Sequence, residues 1–251
     1  MDSISKFTGK AETYEKFRPA YPAGYLEYLV KENGLRPESI VADIGSGTGI
    51  LTRQLLEQNL KVIAVEPNMD MRKTAERELA RYTGFSSVDG TAEDTGLPGE
   101  SLDLITVAQA FHWFDPDRFK TECRRILKPQ AKVALVWNSR DAESPMVMEA
   151  AAVCRKFCRN FKGFSGGKEE TPETARRFFR DETYEFTVFR HDLAYNREGF
   201  IGRNLSASYA PRREDPDYPA FVDALSELFA KYSVNGRIEF PNITRSYLGK
   251  V

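Results

Sequence analysis

The stretch Val41-Ala-Asp43-Ile-Gly45-Ser-Gly47-Thr-Gly49 decides the fold of this 251-residue chain, because an apolar run ends in an acid and three alternating glycines follow. Glycine adopts backbone angles that other residues avoid, and its missing Cβ lets a ligand approach the main chain closely. A helix is predicted over 50–58, and its free N–H groups would point at the same loop. The stretch therefore predicts a strand, a nucleotide-sized loop and a helix in succession.

Short apolar runs alternate with amphipathic stretches along the chain, which indicates a parallel sheet covered by helices on both faces. The first predicted strands are Ile40–Ile44, Lys61–Val65, Phe85–Val88, Leu102–Ala108 and Lys132–Trp137. Further helices are predicted near 69–82, 116–127, 197–206 and 217–232. Two more strands, at Tyr184–Tyr195 and Arg237–Leu248, bring the predicted sheet to seven strands.

Two kinds of nucleotide site fit a glycine-rich loop after a strand. The dinucleotide-binding fingerprint of dehydrogenases requires glycine or alanine at the position that Ile50 holds, so that helix and strand can pack closely. The chain has instead the pattern D-x-G-x-G-x-G from Asp43 onward, and the acid Glu66 closes the second apolar run. This arrangement resembles the S-adenosylmethionine-binding site of class I methyltransferases.

The resemblance implies an α/β fold with three layers, Rossmann-like, whose sheet has seven mostly parallel strands and an antiparallel last strand. It implies S-adenosylmethionine as the cofactor and S-adenosylhomocysteine as its product. We predict a single domain over 1–251, with a lid segment (1–30), a cofactor-binding core (36–143) and C-terminal strands with substrate-side helices (183–251). A helical cap insertion is predicted at 144–182, because this segment is too long for a simple connection.

The expected partners of the cofactor follow from its parts. Asp43 can hold the ammonium group through water or backbone, and the loop Gly45, Ser46, Gly47 and Gly49 can lie against the methionine and ribose portions. Glu66 can accept both ribose hydroxyls, as an acid does in dinucleotide folds. The residues after it, Pro67, Asn68 and Met69, can lie against adenine, although Met69 is equally suited to the core.

Three further segments are assigned to the cofactor by resemblance. The loop with Thr91, Ala92 and Glu93 is expected to receive adenine; Thr91 stands where an aspartate is common, so the Ala92 backbone and Glu93 are expected to bind the amine. Ala108 and Gln109 end the fourth strand beside the site. In the lead segment, Arg18 can bind the cofactor carboxylate and Tyr14 can close the lid, or Arg18 can simply attach the segment to an acid of the core.

The segment Gln109-Ala-Phe-His112-Trp113 is predicted to lie where the methyl acceptor binds. It resembles the type 11 small-molecule methyltransferases, including those similar to trans-aconitate methyltransferase. It lacks the Asn or Asp followed by Pro-Pro and an aromatic that amino-adenine and protein-glutamine methyltransferases carry. His112 is the candidate general base; alternatively it only shapes the pocket. His191, within a predicted strand, is interpreted as structural.

The amino-acid composition limits the classes of binding partner that we expect. The net charge is -1 and charged residues make up 29%, which gives no global attraction to nucleic acid or anionic lipid. With only two histidines and three cysteines, no metal site is predicted, and Cys123, Cys154 and Cys158 are interpreted as small buried residues. No apolar run approaches the roughly 20 residues of a membrane span, and no signal segment is recognised, so a cytoplasmic protein is expected.

We therefore expect methyl transfer to a small molecule, with no prediction of oligomeric state. Residues 151–213 carry 13 Lys or Arg against 8 Asp or Glu, which favours an anionic, carboxylate-bearing acceptor unless these charges form only a solvated face. One alternative is a module or regulator that binds S-adenosylmethionine without catalysis. The other is an NAD-dependent oxidoreductase, which Ile50 disfavours.

Overall fold

The structure is a computed structural model that describes residues 19–164, 172–207 and 209–251. The chain forms two compact units. The sheet unit contains the described residues 19–137, 172–189 and 244–251, and the second unit contains 138–164, 190–207 and 209–243. The sequence places 172–182 in the cap insertion and 183–189 directly after it, but all of these residues belong to the sheet unit.

A seven-stranded sheet organises the first unit, in the order β3-β2-β1-β4-β5-β9-β6. The strands are β1 (Ile40–Ile44), β2 (Lys61–Val65), β3 (Phe85–Val88), β4 (Leu102–Ala108), β5 (Leu127–Arg140), β6 (Glu185–Arg190) and β9 (Asn242–Gly249). Strands β1 to β5 pair in parallel, and the last strand runs antiparallel. The predicted fold class is confirmed.

Helices cover this sheet as the alternating pattern predicts. They are α1 (Ala23–Glu32), α2 (Ile50–Glu57), α3 (Met69–Leu79), α4 (Pro116–Ile126) and α6 (Pro172–Phe178). The predicted start of α4 is confirmed, because Oδ1 of Asp115 accepts from the N–H groups of Asp117 and Arg118 at 3.1 Å and Pro116 follows the cap. Two buried apolar clusters, one containing Phe119 and the other Leu55, form the core of the unit.

The sequence pattern misses three features of the strands. β5 extends beyond Lys132–Trp137 at both ends, because its terminal residues are polar and give no apolar run. The predicted strand Tyr184–Tyr195 is two strands, β6 and β7 (Leu193–Tyr195), with His191 between them. The predicted strand Arg237–Leu248 is likewise divided at Pro241, which cannot donate to a ladder, into β8 (Ile238–Phe240) and β9.

The second unit has a core of its own. Its helices are α5 (Pro145–Phe157), α7 (Arg197–Leu205) and α8 (Tyr218–Tyr232), and β7 pairs with β8 in antiparallel fashion. The core includes the fully buried Ala150, Cys154, Phe221 and Leu225. All three cysteines of the chain are free and buried, as the sequence predicts. Among the described residues, no helix combines the length and the apolar character needed to cross a membrane.

Candidate functional site

The glycine loop after β1 has the backbone that its sequence predicts. Gly45, Gly47 and Gly49 have φ angles of 68°, 58° and 83°, in the left-handed region that side chains rarely adopt. The N–H groups of Gly45 and Ser46 both donate to the carbonyl of Val65, at 2.9 and 3.2 Å. The loop is therefore tied to the carboxyl end of β2, where open α/β sheets bind ligands.

Two of the glycines are also required for packing. A Cβ on Gly45 would lie 2.7 Å from the Cβ of Ala110, and a Cβ on Gly49 would lie 2.7 Å from Cδ1 of Leu79. Gly49 is the N-cap of α2 and allows α2 to approach α3. A Cβ on Gly47 would meet only the sulfur of Met71, at 3.7 Å. Gly47 is thus the glycine whose surroundings leave most space for a ligand.

Asp43 lies inside the protein rather than on the loop surface. Its side chain is completely buried; Oδ2 accepts from the hydroxyl of Thr52 at 2.7 Å, and Oδ1 accepts from that of Thr106 at 3.0 Å. Burial raises the pKa of the Asp43 carboxyl to about 6, although these hydrogen bonds oppose the rise. The carboxyl joins β1 to α2 and β4, so it holds the strand end and the helix start in place.

Glu66 is the acid at the end of β2, and both of its oxygens hold backbone around the loop. Oε2 accepts from the N–H of Gly47 at 2.9 Å, and Oε1 accepts from the N–H of Asn68 at 2.8 Å. Burial raises the pKa of the Glu66 carboxyl, while these two hydrogen bonds and the charge of Arg72 oppose the rise. Each carboxylate oxygen has a second lone pair available to a ligand hydroxyl.

Two hydroxyls of the loop add to this arrangement. The Oγ of Ser46 and the Oγ1 of Thr48 are buried and have no hydrogen-bond partner among the residues that the structure describes. Buried hydroxyls are usually satisfied, so two such groups next to a glycine-rich backbone suit a polar ligand. The loop, its hydroxyls and Glu66 therefore fit a cofactor with a ribose and an amino-acid portion.

The residues after Glu66 begin α3. Oδ1 of Asn68 caps this helix by accepting from the N–H of Met71 at 3.1 Å, whereas the side chain of Met69 is 55% exposed. Arg72 then links the ends of two strands, because it donates to the carbonyl of Glu66 at 2.7 Å and to both carboxylate oxygens of Asp89 at 3.0 and 2.9 Å. Met69 is thus not a core residue, and its exposed thioether is free to cover a flat ligand.

The loop after β3 forms a tight turn. The N–H of Thr91 donates to the carbonyl of Asp94 at 3.1 Å, and the Thr91 hydroxyl accepts from the N–H of Asp94 at 3.2 Å. Ala92 is buried. Oε1 of Glu93 accepts from the N–H of Asp115 at 2.8 Å, so this carboxylate stabilises the start of α4. The carboxylate has a second oxygen that can accept a hydrogen bond from a ligand.

The acceptor segment follows β4. Ala108 ends the strand, and Gln109 has a φ of 59°, an uncommon angle for a residue with a side chain. Phe111, at the start of a 3₁₀ turn, is buried against aromatic neighbours such as Phe178, whereas His112 is exposed with its ring 4.6 Å from that of Trp113. The inward phenyl fixes the turn, and the imidazole is presented to solvent.

The structure brings most of the predicted residues to the carboxyl ends of β1 to β4. These are Asp43, Gly45, Ser46, Gly47, Gly49, Glu66, Pro67, Asn68, Met69, Thr91, Ala92, Glu93, Ala108, Gln109 and His112. Tyr14 and Arg18 lie outside the described residues. The sequence pattern does not indicate Thr52, Thr106 or Arg72, because polar residues within helices and strands give no motif.

The strand order, with the glycine loop after β1 and the acid after β2, is that of the class I methyltransferase fold. A family model described as a methyltransferase domain, type 11, matches residues 42–135. Over this segment the chain is similar to the type 11 family.

Curated relatives show a similar likeness. An uncharacterized methyltransferase of Mycobacterium tuberculosis is 36% identical over 152 residues, which make up 61% of this chain and 60% of that protein. The match thus spans only 60% of the length of the mycobacterial relative. An uncharacterized methyltransferase of Schizosaccharomyces pombe is 28% identical over 246 residues, with 93% of this chain and 92% of that protein covered.

Two solved structures share the fold at lower identity. A candidate type II methyltransferase from Anaeromyxobacter dehalogenans is 24% identical, with a TM-score of 0.66 over 93% of this chain and 98% of that chain. A candidate S-adenosylmethionine-dependent methyltransferase from Methanococcus maripaludis is 22% identical, with a TM-score of 0.56 over 74% of this chain and 89% of that chain. At such identities the likeness concerns the fold alone.

Proposed function

We propose that this protein transfers a methyl group from S-adenosylmethionine to a small-molecule acceptor, with a carboxylate-bearing acceptor as the favoured class. The observation that carries the proposal is the arrangement of Glu66, which holds the N–H groups of Gly47 and Asn68 at the carboxyl end of β2. When bound, the cofactor supplies a methyl carbon that its positively charged sulfur activates for displacement. The protein then has to orient the reactants and exclude water.

Different residues around the loop would bind different parts of the cofactor. Glu66 would accept from the ribose hydroxyls, and the positive-φ backbone at Gly47 would lie against the ligand. Asp43 would act as a positioning residue, because both of its oxygens are hydrogen-bonded inside the protein. Met69 and the Ala92 backbone would contact adenine, and Glu93 would contribute its remaining oxygen. Tyr14 and Arg18 remain proposed contacts from the lead segment.

On the acceptor side, Gln109 and His112 are the proposed polar groups. A hydroxyl or amine acceptor has to lose a proton, and the exposed imidazole of His112 would take it at a ring nitrogen. A carboxylate acceptor is already ionised at neutral pH and needs only positioning. The excess of basic residues in 151–213 supports an anionic acceptor. The three free cysteines support the proposed cytoplasmic location, where thiols stay reduced.

Turnover tests the proposal. The protein would be incubated with S-adenosylmethionine and a panel of mono- and dicarboxylates, phenols, amines and thiols, and S-adenosylhomocysteine would be measured by mass spectrometry. We expect product with at least one acceptor, and much less product from Glu66→Gln when S-adenosylmethionine is well below saturation. The matched control is Glu78→Gln, a half-buried acid of α3 that pairs with Arg77. Tight cofactor binding with no product from the full panel would favour a binding module instead.

A further inference from the structure

Arg140, the last residue of β5, has an unusual environment within the second unit. Its guanidinium carbon lies 3.7 Å from the ring centroid of Phe164 and 5.4 Å from that of Phe240. Nη2 donates to Oδ1 of Asn204 at 3.3 Å. Nη1 is buried and has no hydrogen-bond partner among the described residues. One face of the cation is therefore covered by aromatic rings, while one of its amino groups is left unsatisfied.

The charge of Arg140 is also unpaired within the part of the chain that the structure describes. No acidic side chain of those residues lies within ion-pair distance of its guanidinium, and Arg203 adds positive charge nearby. Its neighbour Asp141 is used elsewhere: Oδ1 accepts from the N–H of Glu143 at 3.1 Å, and Oδ2 lies 3.9 Å from Arg190. Burial lowers the pKa of Arg140, the direction expected for a desolvated cation.

Packing does not account for this arrangement. An aromatic contact stabilises a desolvated cation by about 2 kcal/mol, whereas burying an unpaired charge costs several kcal/mol. A methionine would fill the space between Phe164 and Phe240 without that cost. A guanidinium with a free edge suits a planar partner that offers two oxygens, because its N–H groups form a fork that matches carboxylate and phosphate.

Two polar side chains lie next to Arg140: that of Asn204, which is buried, and that of Tyr209, which forms a hydrogen bond with the guanidinium. The surroundings of Nη1 are thus polar on one side and aromatic on the other.

We propose that Nη1 of Arg140 binds an oxyanion, the carboxylate or phosphate group of a small molecule, within the second unit. This anion site does not depend on the proposed methyltransferase function.

Anion titration tests the site directly. Sodium succinate and inorganic phosphate would be titrated into the full-length protein at constant ionic strength, with binding measured by calorimetry. We expect one site of millimolar affinity that Arg140→Gln weakens at least tenfold and Arg140→Lys weakens less, because lysine keeps the charge but loses the planar fork. Tighter binding of succinate would indicate a carboxylate, and tighter binding of phosphate would indicate a phosphate ester. The matched control, Arg159→Gln, alters an arginine that is 82% exposed in the same unit.

A second measurement covers the case in which Arg140→Gln does not fold. In parent protein with ¹⁵N-labelled arginine, succinate or phosphate should shift the guanidinium signal that Arg140→Lys lacks. A parent protein that binds neither anion, or binding that Arg140→Gln and Arg140→Lys leave unchanged, would overturn the proposal. S-adenosylmethionine is titrated into the same samples. If S-adenosylmethionine binds but no anion binds through Arg140, only the anion site is refuted. If an anion binds through Arg140 but S-adenosylmethionine does not bind, only the proposed function is refuted.

Discussion

Oε2 of Glu66 accepts a hydrogen bond from the backbone N–H of Gly47 at 2.9 Å, so the acid after the second strand closes the glycine loop that follows the first. The other oxygen holds the N–H of Asn68. One carboxylate thus fixes the backbone on two sides of the proposed ribose position. We therefore expect Glu66 to affect cofactor binding both directly, through its remaining lone pairs, and indirectly, through the loop.

Replacing Glu66 by Gln should weaken S-adenosylmethionine binding by about 10- to 100-fold, which corresponds to roughly 1.5–3 kcal/mol for hydrogen bonds to a charged group. The amide has one accepting oxygen, so it cannot serve both backbone N–H groups and a ribose hydroxyl. Calorimetric titration measures the effect. Unchanged affinity in Glu66→Gln would remove Glu66 from the site, and Glu78→Gln should bind as the parent does.

Three glycine-to-alanine variants separate backbone strain from ligand approach. Gly34 and Gly47 both have a φ of 58°, and a Cβ on Gly34 would meet nothing within 4 Å. Each alanine should therefore cost about 1–2 kcal/mol of stability in denaturant unfolding. Gly49→Ala should cost more, because its Cβ would collide with Leu79.

Of the two variants with equal φ, only Gly47→Ala should also weaken cofactor binding. Its Cβ would enter the space next to the loop, whereas Gly34 lies after α1. Equal cofactor affinities of Gly34→Ala and Gly47→Ala would show that no ligand approaches Gly47. The comparison needs both variants folded, which their unfolding curves report.

The raised pKa of the Asp43 carboxyl predicts that the stability of the protein depends on pH. Its carboxyl has a pKa of about 6 in the folded protein against 3.8 in the unfolded chain, so the folded state binds the proton more tightly. The stability that this gives is present below pH 4 and is lost as the pH rises toward 6; the full loss is about 3 kcal/mol at 1.36 kcal/mol per pKa unit. The melting temperature of Asp43→Asn minus that of the parent should therefore increase between about pH 4 and 6.

Above about pH 6 this difference between Asp43→Asn and the parent should level off, because the carboxyl is then ionised in both states. Melting curves at a series of pH values and constant ionic strength provide the measurement. A difference that is flat from pH 4 to 7, or that falls, would contradict the raised pKa. A constant offset would reflect only the changed hydrogen bonds to Thr52 and Thr106.

His112 should affect turnover without affecting stability. Its side chain is exposed, so His112→Ala should change the free energy of unfolding by no more than about 0.5 kcal/mol. With a hydroxyl or amine acceptor, loss of a general base should lower kcat by about 100-fold or more, and cofactor affinity should stay near that of the parent. An unchanged kcat would leave His112 with a structural role.

Much of the fold follows from the sequence because its signals are local. β1 to β4 have the predicted bounds, because β1, β2 and β4 are mainly apolar runs and the short β3 begins and ends on an apolar residue. The division of 184–195 and 237–248 into two strands each depends on pairing with different partners, which a run of residues does not contain. The extension of β5 to Arg140 depends on polar residues pairing at the ends of an otherwise apolar strand.

The candidate site is predictable in part for the same reason. Glycines and acids at fixed spacing indicate the loop, but the internal role of Asp43 requires Thr52 and Thr106 from two other elements. Glu93 is hydrogen-bonded to the N–H of Asp115, 22 positions away. Such pairings arise only once the strands are ordered, so the sequence gives the residues of the loop without their contacts.

Titration of the parent protein with S-adenosylmethionine, with NADH in parallel, tests the central claim most directly. We predict one binding site for S-adenosylmethionine, with micromolar affinity. S-adenosylhomocysteine should occupy the same site, and NADH should not displace S-adenosylmethionine from it. The claim would be contradicted if S-adenosylmethionine gave no heat of binding and S-adenosylhomocysteine did not compete with it. It would also be contradicted if NADH at micromolar concentration displaced bound S-adenosylmethionine.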